Sequence, residues 1–460
     1  MEMNDASLKL DLEARIGLGA ILNADPLGTW RRTHYSNMVR PELDGLEATV
    51  FGWVEDVRDL GSIVFVTLRD REGSLQVTAT PKSTTIETFQ KVKSLPRQSA
   101  VGVKGTVVRR DEAPNGVEIV PEQVRLIGPA SHPLPLDPTG RVPAEIDVRL
   151  DARILDLRRP EHQAIFRIRH EITSAIRQFL SDRGYIEVHT PRIIAAAAEG
   201  GASLFPVEYF EEKAYLAQSP ELYKEELITV FEKVYEIGTF FRAEESHTRR
   251  HLNEFISVDV EEAFVDYTDV MRLQEELLEN MLGSVEKKCL RQLELLGVKL
   301  PEARLPLKRY TYSKLIEELQ GNDFKIEWGE DLSTPAYRIL GRLHEEEFYF
   351  VTEWPTKTRP FYIKPSPNKE ICEAFDLMYE WIEVTSGGSR VDDKKQLVER
   401  LTEQGLSPES FDFHLKAYDY GMPPHAGWGM GLDRLVMALL GRENIRDVVL
   451  FPRDRSRLRP

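Results

Sequence analysis

From Ala48 to Ile127 apolar and polar residues alternate in short runs: TVFGWV, IVFVTL, SLQVTAT, AVGVKGTVV and VEIV. Successive side chains of a strand point to opposite faces, so such runs predict half-buried β-strands. DLGS, DREGS and APNG separate them with turn residues. About five strands and no helix of comparable length predict a small barrel. The next segment, HPLPLDPTGRVP (132–143), holds four prolines and one glycine, which predicts an extended hinge. The period then changes. Ala164, Ile165, Ile168, Ile172, Ala175, Ile176, Phe179 and Leu180 recur at helical spacing over 161–183, and Gly184 follows as a stop signal. YIEVHTPRI, VYEIGTFFRAE, FISVDVEEAFV, YFVTEW, FYIKP, EICEAFDLMYEW and IEVTS read as strands; 267–287 and GLDRLVMALLG read as helices. Hairpins with helices outside predict an α+β domain on an antiparallel sheet flanked by helices. At the start, Leu8, Leu10, Leu12, Ile16, Leu18 and Leu22 have mixed spacing, fitting a short helix or a loosely packed extension. The expected organisation is an extension over 1–30, a barrel over 31–130, a hinge over 131–160 and the α+β domain over 161–460.

Composition narrows this picture. The chain has 460 residues, 41% hydrophobic and 30% charged. That suffices for a large core and excludes intrinsic disorder; at roughly 100–200 residues per domain it allows two or three domains. No apolar run approaches the roughly 20 residues that span a bilayer, so no membrane partner is expected. The start, MEMNDASLKLDLEAR, lacks the basic and apolar regions of a secretory signal. Two separate cysteines, Cys289 and Cys372, argue against a disulfide scaffold or zinc site and fit a reducing cytoplasm. The net charge is −16, which argues against a polyanionic partner. Residues 31–130 are nearly neutral, so the barrel region repels a polyanion least. A five-stranded oligonucleotide-binding (OB) barrel and an SH3-like barrel both fit its strands.

Four segments carry candidate chemistry. FRAEESHTRRHLNEF (241–255) sets Arg242, Arg249, Arg250 and His251 in and beside a polar loop, with Glu244 two residues after Arg242. Arginine forks suit phosphate and a neighbouring carboxylate suits polar base edges, although a solvated hairpin explains the composition equally. HAGWGMGLDRL (425–435) alternates Gly427, Gly429 and Gly431 before Arg434; such glycines admit a close backbone or a flat ligand. It is neither a dinucleotide fingerprint nor a Walker loop. AFDLMYEWIEVTSGGSR (374–390) offers Asp376, Glu383 and Ser386 as oxygen ligands for Mg²⁺ near phosphates, and Gly387 and Gly388 before Arg390. EGGASLF and YLAQSPELYK offer Glu199 to an ammonium and Lys224 to a carboxylate, alongside Gln218 and Ser219. Each of these also reads as ordinary loop or strand surface when taken alone.

Together, GYIEVHTPRI, FRAE…RHLNEF and GMGLDR resemble, in order and separation, the three signature motifs of class II aminoacyl-tRNA synthetases. GWVEDVRDLGSIVFVTLRDREGSLQV is similar to the OB-fold anticodon-binding barrel of the aspartyl, asparaginyl and lysyl subgroup (subgroup b). The resemblance covers roughly 33–460 and is nearest to its archaeal-type aspartyl branch. It implies an AMP-forming aminoacyl-tRNA ligase acting on ATP, an amino acid and tRNA, with Mg²⁺, as a cytoplasmic homodimer joined through the first motif. It implies that Arg242 holds the α-phosphate and the amino-acid carboxylate, Glu244 accepts from the adenine amino group, and Phe255 lies under the ring. Arg250 and His251 are implied near the γ-phosphate, and Arg434 over the other adenine face; Arg242 and Arg434 are the implied catalytic pair. Asp376 and Glu383, with Ser386 adjoining, are the implied metal ligands. Glu199, Gln218 and Asp259 are implied around the substrate ammonium, with Ser219 beside them.

Lys224 and Arg390 match two cations that receive an aspartate side-chain carboxylate. Asparagine would set its NH₂ against donors, at several kcal/mol by rough estimate. Aspartate is therefore the expected substrate, and Lys224→Leu is expected to abolish its activation with the fold intact. Asparagine–tRNA ligase and a non-catalytic RNA-binding relative are the alternatives. The latter would be expected to have lost Arg242, Glu383 or Arg434. In the barrel, Arg58, Phe65 and Gln76 match residues that read the central anticodon base; an aromatic ring stacks on any base and an amide discriminates. Glu55 and Pro114 fall where tRNA discrimination is set. Enzymes of this family restricted to tRNA(Asp) tend to carry Trp and Lys at these positions, and those that charge both tRNA(Asp) and tRNA(Asn) tend to carry His and Pro; Pro114 resembles the second type, and Glu55 fits neither pattern.

Overall fold

The computed structural model describes residues 23–195, 204–244, 248–345 and 347–460. Two compact units meet in sequence between Val148 and Arg149.

The first unit is a closed barrel of β1 (Glu47–Asp59), β2 (Val64–Asp70), β3 (Gly73–Ala79), β4 (Ala100–Arg109) and β5 (Val117–Gly128), in the order β1-β2-β3-β5-β4. The alternation is strict in β2, where Val64, Val66 and Leu68 enter the core and Phe65 and Thr67 do not. Closure uses a parallel β3–β5 pair, Gln76 opposite Glu118 and Val77 opposite Ile119. The architecture is the OB barrel rather than the SH3-like alternative. The run pattern missed a helix, Ile86–Lys93, between β3 and β4. It is only eight residues long and buries just Thr88, Phe89 and Val92, while Thr85 caps it by accepting from the Thr88 amide. Asp25 reaches Lys91 at 2.6 Å and Trp30 lies under the Arg125 guanidinium, so residues 25–30 pack on the barrel. The expected helix over 8–22 lies outside the described residues.

Residues 132–143 form no regular element. The expected extended hinge is corrected beyond them, because Ile146–Asp151 and Arg153–Asp156 are helical. Arg153 is buried, paired with Asp156 at 2.7 Å and donating to the Val449 and Leu450 carbonyls.

The second unit is built on an eight-stranded, mostly antiparallel sheet in the order β12-β13-β14-β15-β16-β11-β10-β6. Its strands are β6 (Ile186–Glu187), β10 (Lys233–Phe241), β11 (Glu254–Ala263), β12 (Lys308–Thr311), β13 (Phe348–Thr352), β14 (Ala374–Tyr379), β15 (Ile382–Ser389) and β16 (His425–Gly431). Three short strands, β7 (Ile193–Ile194), β8 (Pro206–Tyr209) and β9 (Glu212–Leu216), form a separate sheet. FYIKP is not a strand. Prolines at 360 and 365 remove ladder donors there, leaving isolated bridges at Ile363 and Pro365. The helices Pro160–Asp182 and Tyr267–Lys288 cover one face of the sheet, and the first buries all eight residues of its apolar stripe. Against them pack Val258 and Val260 of β11 and Trp428 and Met430 of β16. By strand alternation, Ser257, Asp259 and Glu261 therefore share the opposite face.

Candidate active site and barrel cavity

That opposite face floors a cavity of about 270 Å³. Its wall brings together Arg242, Glu244, Arg250, His251, Phe255, Gln218, Ser219, Asp259, Glu383, Ser386, Arg390 and Arg434. The loop bearing Glu199 lies outside the described residues. The spaced glycines explain how the floor closes. A Cβ on Gly427 would sit 2.0 Å from Glu261 Oε2, and one on Gly429 would sit 2.9 Å from Asp259 Oδ1. Two buried carboxylates thus fit under β16 only because no side chains stand there. Gly387 likewise lets β15 approach β16, since its Cβ would lie 2.5 Å from the Gly427 carbonyl.

One end of the cavity is basic. Arg242 leaves β10 with its guanidinium 5.4 Å from the Phe255 ring centre, across the β10–β11 hairpin. Arg250 stacks on Trp381 at 4.6 Å and donates to Thr334 at 2.7 Å. Arg434, in the first turn of the helix Leu432–Leu439, is 3.6 Å from Glu383. Burial, reinforced by Arg434 and Arg250, pushes the His251 imidazole below its usual pKa, so it stays neutral. Asp433 fixes this end: it accepts from the Ile256 amide at 2.9 Å and pairs with Arg169. Three guanidiniums around one cavity suit a polyphosphate, and Phe255 and Arg434, half-buried on its wall, suit a flat ring.

The other end is closed and densely charged. Gln218 is 1% exposed, and among the described residues neither end of its amide has a partner. A buried amide left so costs a few kcal/mol, so its position on the cavity wall points to a ligand. Lys224 does not reach the wall. Its ammonium lies 2.8 Å from Glu221, 3.4 Å from Glu261, 3.5 Å from Asp259 and 3.3 Å from the Trp428 carbonyl. The expectation that Lys224 meets the ligand directly is corrected: carboxylates of the chain already surround it. Arg390 does line the cavity, clasping Glu261 through Nε at 3.0 Å and Nη2 at 3.1 Å. Burial raises the Asp259 carboxyl, and Lys224 opposes the shift.

The metal expectation also changes. Asp376 is 1% exposed, does not line the cavity, and spends both oxygens on Arg359 at 3.1 and 2.5 Å. Burial pushes its carboxyl up to about 6. Glu383 and Ser386 face the cavity, with Ser386 opposite Gly429. Among the described residues no group of three or more His, Cys, Asp or Glu is placed to hold an ion. Two protein oxygens still fit Mg²⁺, which keeps several waters and takes phosphate oxygens. Asp376 is better described as the anchor of Arg359.

Arg359, Glu221 and Glu261 are site residues that the motifs did not single out. Glu221 could have been found from its i,i+3 spacing to Lys224, and Glu261 from sharing a strand face with Asp259. Arg359 carries no local signal. Behind the closed end, Glu225 is fully buried between His414 (3.3 Å) and His425 (3.7 Å). Burial pulls His414 down, but Glu225 and Glu226 outweigh it and raise it to about 9.

The barrel holds a second cavity of about 660 Å³, lined by Arg58, Phe65 and Gln76 among others. Arg58 is opposite Phe65 across β1–β2, and Thr67 is opposite Gln76 across β2–β3. Gln76 donates to Glu118 at 3.0 Å, a buried acceptor that the motifs did not point to. Glu55 and Pro114 do not line this cavity. Glu55 is held by Arg69 at 2.6 Å, and Pro114 opens the exposed turn Pro114–Gly116.

The chain matches the family described as tRNA synthetases class II (D, K and N) over residues 145–455, and an OB-fold nucleic acid binding domain over 48–127. It is 54% identical to an aspartate–tRNA(Asp/Asn) ligase of Methanopyrus kandleri over 93% of this chain and 99% of that one. It is 50% identical to the protein of the same name from Archaeoglobus fulgidus, with the same coverage. An asparaginyl-tRNA synthetase structure from Pyrococcus horikoshii, complexed with asparaginyl-adenylate, superposes with a TM-score of 0.88 at 34% identity, covering 94% of this chain and 100% of that one. An aspartyl tRNA synthetase from Entamoeba histolytica gives 0.84 at 30%, covering 96% of each chain.

Proposed function

The chain belongs to the class II tRNA synthetases of the aspartate, lysine and asparagine group, and we propose that it is an aspartate–tRNA ligase charging both tRNA(Asp) and tRNA(Asn). The observation that carries this is one cavity joining a three-arginine end to an end with Gln218 and Arg390. The near full-length identity to ligases named for both tRNAs supports the substrate pair.

ATP lies with its adenine between Phe255 and Arg434 and its amino group towards Glu244. Arg242 takes the α-phosphate, while Arg250 and neutral His251 lie along the β- and γ-phosphates. Aspartate lies with its ammonium near Gln218 and Asp259 and its side-chain carboxylate at Arg390. Its α-carboxylate then attacks the α-phosphorus in line, and the bond to pyrophosphate breaks. A hydroxyl of the terminal tRNA adenosine next attacks the acyl carbon, and AMP leaves. Neither step needs a protein nucleophile. Positioning and charge stabilisation by arginines carry them, which agrees with a site of guanidiniums and carboxylates. Mg²⁺ bound by Glu383 and Ser386 would neutralise developing phosphate charge.

In the barrel, Phe65 stacks on a base and Gln76, oriented by Glu118, reads its edge. Ile186 on β6, Val230 in the helix before β10 and Phe264 after β11 are exposed apolar residues, which a second copy would cover; sedimentation giving a monomer at micromolar concentration would count against a homodimer. No helix among the described residues is long and apolar enough to cross a membrane, and we place the reaction in the cytoplasm.

ATP–pyrophosphate exchange tests the amino-acid assignment. Exchange driven by aspartate and not asparagine is expected. Exchange driven by asparagine alone would make the chain an asparagine–tRNA ligase, and none with either would make it a non-catalytic relative.

A further inference from the structure

The cations assigned to the substrate side chain already hold a carboxylate of this chain. Glu221 opens the helix Glu221–Phe231, and it lines the cavity where Lys224 does not. Its Oε2 is 2.8 Å from Lys224 Nζ and its Oε1 is 2.5 Å from Arg390 Nη2. The groups facing it are Lys224 and Glu225 on its own helix, Asp259 and Glu261 on β11, and Arg390 after β15. Behind Glu225 stand His414, His425 and Tyr418. With Glu225 paired to its two histidines, Lys224 and Arg390 thus face the three carboxylates of Glu221, Asp259 and Glu261. An entering aspartate brings its ammonium to Asp259, which that ammonium neutralises, and sets its side-chain carboxylate on Arg390, where Glu221 already lies. Two carboxylates side by side on one buried guanidinium, that of Glu221 and that of the ligand, are costly unless one is discharged.

We propose that Glu221 is a proton-taking specificity residue: it binds one proton as the ligand's side-chain carboxylate enters, releases Arg390 to the ligand, and donates its new O–H to it. The proton comes from solvent, and no covalent bond to the ligand forms or breaks. Burial, only partly offset by Arg390 and Lys224, already raises this carboxyl to about 7 in the empty pocket, so the proton costs little near neutrality. The same residue discriminates. Ionised Glu221 accepts from an asparagine NH₂ and needs no proton, so the preference for aspartate weakens as pH rises.

This inference rests on aspartate being the substrate. The test measures KM for aspartate in ATP–pyrophosphate exchange from pH 6 to 8.5, with KM for ATP as control, for the natural chain and Glu221→Gln. The expected KM for aspartate is flat below about pH 7 and rises up to tenfold per unit above it. KM for ATP stays flat, and Glu221→Gln removes the aspartate slope. A flat profile in the natural chain, or a slope that persists in the variant, overturns the proposal. A second measurement needs no variant. Calorimetry in buffers of different ionisation enthalpy at pH 8 is expected to show about one proton taken up per aspartate bound and none per asparagine. Zero uptake with aspartate overturns the proposal. Absence of exchange with aspartate at every pH would instead refute the proposed function.

Discussion

Replacing Lys224 with leucine tests how the buried charges balance. The side chain is 2% exposed and its ammonium faces Glu221, Glu261 and Asp259 within 3.5 Å. Without it, Arg390 alone faces three carboxylates. Removing one partner of a buried ion pair costs about 3–5 kcal/mol. At about 2 °C per kcal/mol for a large unit, the catalytic unit is expected to melt roughly 6–10 °C lower. The sequence predicts that this variant keeps its fold; the surrounding carboxylates revise that prediction. The deficit also depends on pH. Losing the cation raises the carboxyl pKa values in the folded state further. The folded state then binds more protons than the unfolded, so stability falls as pH rises. The deficit is therefore larger at pH 8.5 than at pH 6, where Glu221, already raised to about 7, carries its proton. Scanning calorimetry at both pH values checks this, with exchange assays run well below the melting transition, where aspartate activation is expected to be lost. A variant as stable as the natural chain at both pH values, or one hurt more at pH 6, would refute the reasoning.

Three further outcomes are expected. Glu383→Gln removes a cavity-facing carboxylate whose ion-pair partner is Arg434 at 3.6 Å; the Mg²⁺ needed for half-maximal exchange is expected to rise at least about tenfold with stability within about 0.5 kcal/mol, and an unchanged Mg²⁺ titration would reject Glu383 as a ligand. Phe65→Ala is expected to weaken tRNA binding by about 1–3 kcal/mol while leaving pyrophosphate exchange untouched, as tRNA KM and filter binding would report. His414 is raised in the folded state, so its stabilisation is full below about pH 6.5 and lost as pH rises through about 9. His414→Gln should therefore differ from the natural chain at pH 6 and converge with it above pH 9; an equal difference at both ends would exclude this buried pair as the source.

The elements were legible where burial follows a simple period. The stripe from Ala164 to Leu180 is the buried face of Pro160–Asp182, and β2 alternates as its sequence does. The barrel helix was missed because its three apolar residues, Ile86, Phe89 and Val92, make too short a stripe, and only two of them are buried. FYIKP reads as a strand by composition, yet its flanking prolines withhold the donors that a ladder needs. In the site, the phosphate end was legible because its residues lie in one hairpin and one helix start. The closed end was not. Arg390 meets Glu261 across 129 positions of sequence, and Arg359 meets Asp376 across 17. Such pairs are made by the sheet order. Sequence pattern also assigns acids and bases to ligands before it assigns them to each other, which is why Asp376 and Lys224 read as ligand contacts.

The most direct measurement is charging with labelled aspartate, using tRNA(Asp) and tRNA(Asn) transcripts in parallel. Charging of both is the expected result. Charging of tRNA(Asp) alone would contradict the relaxed tRNA choice, and charging of neither would contradict the assignment as an aspartate–tRNA ligase.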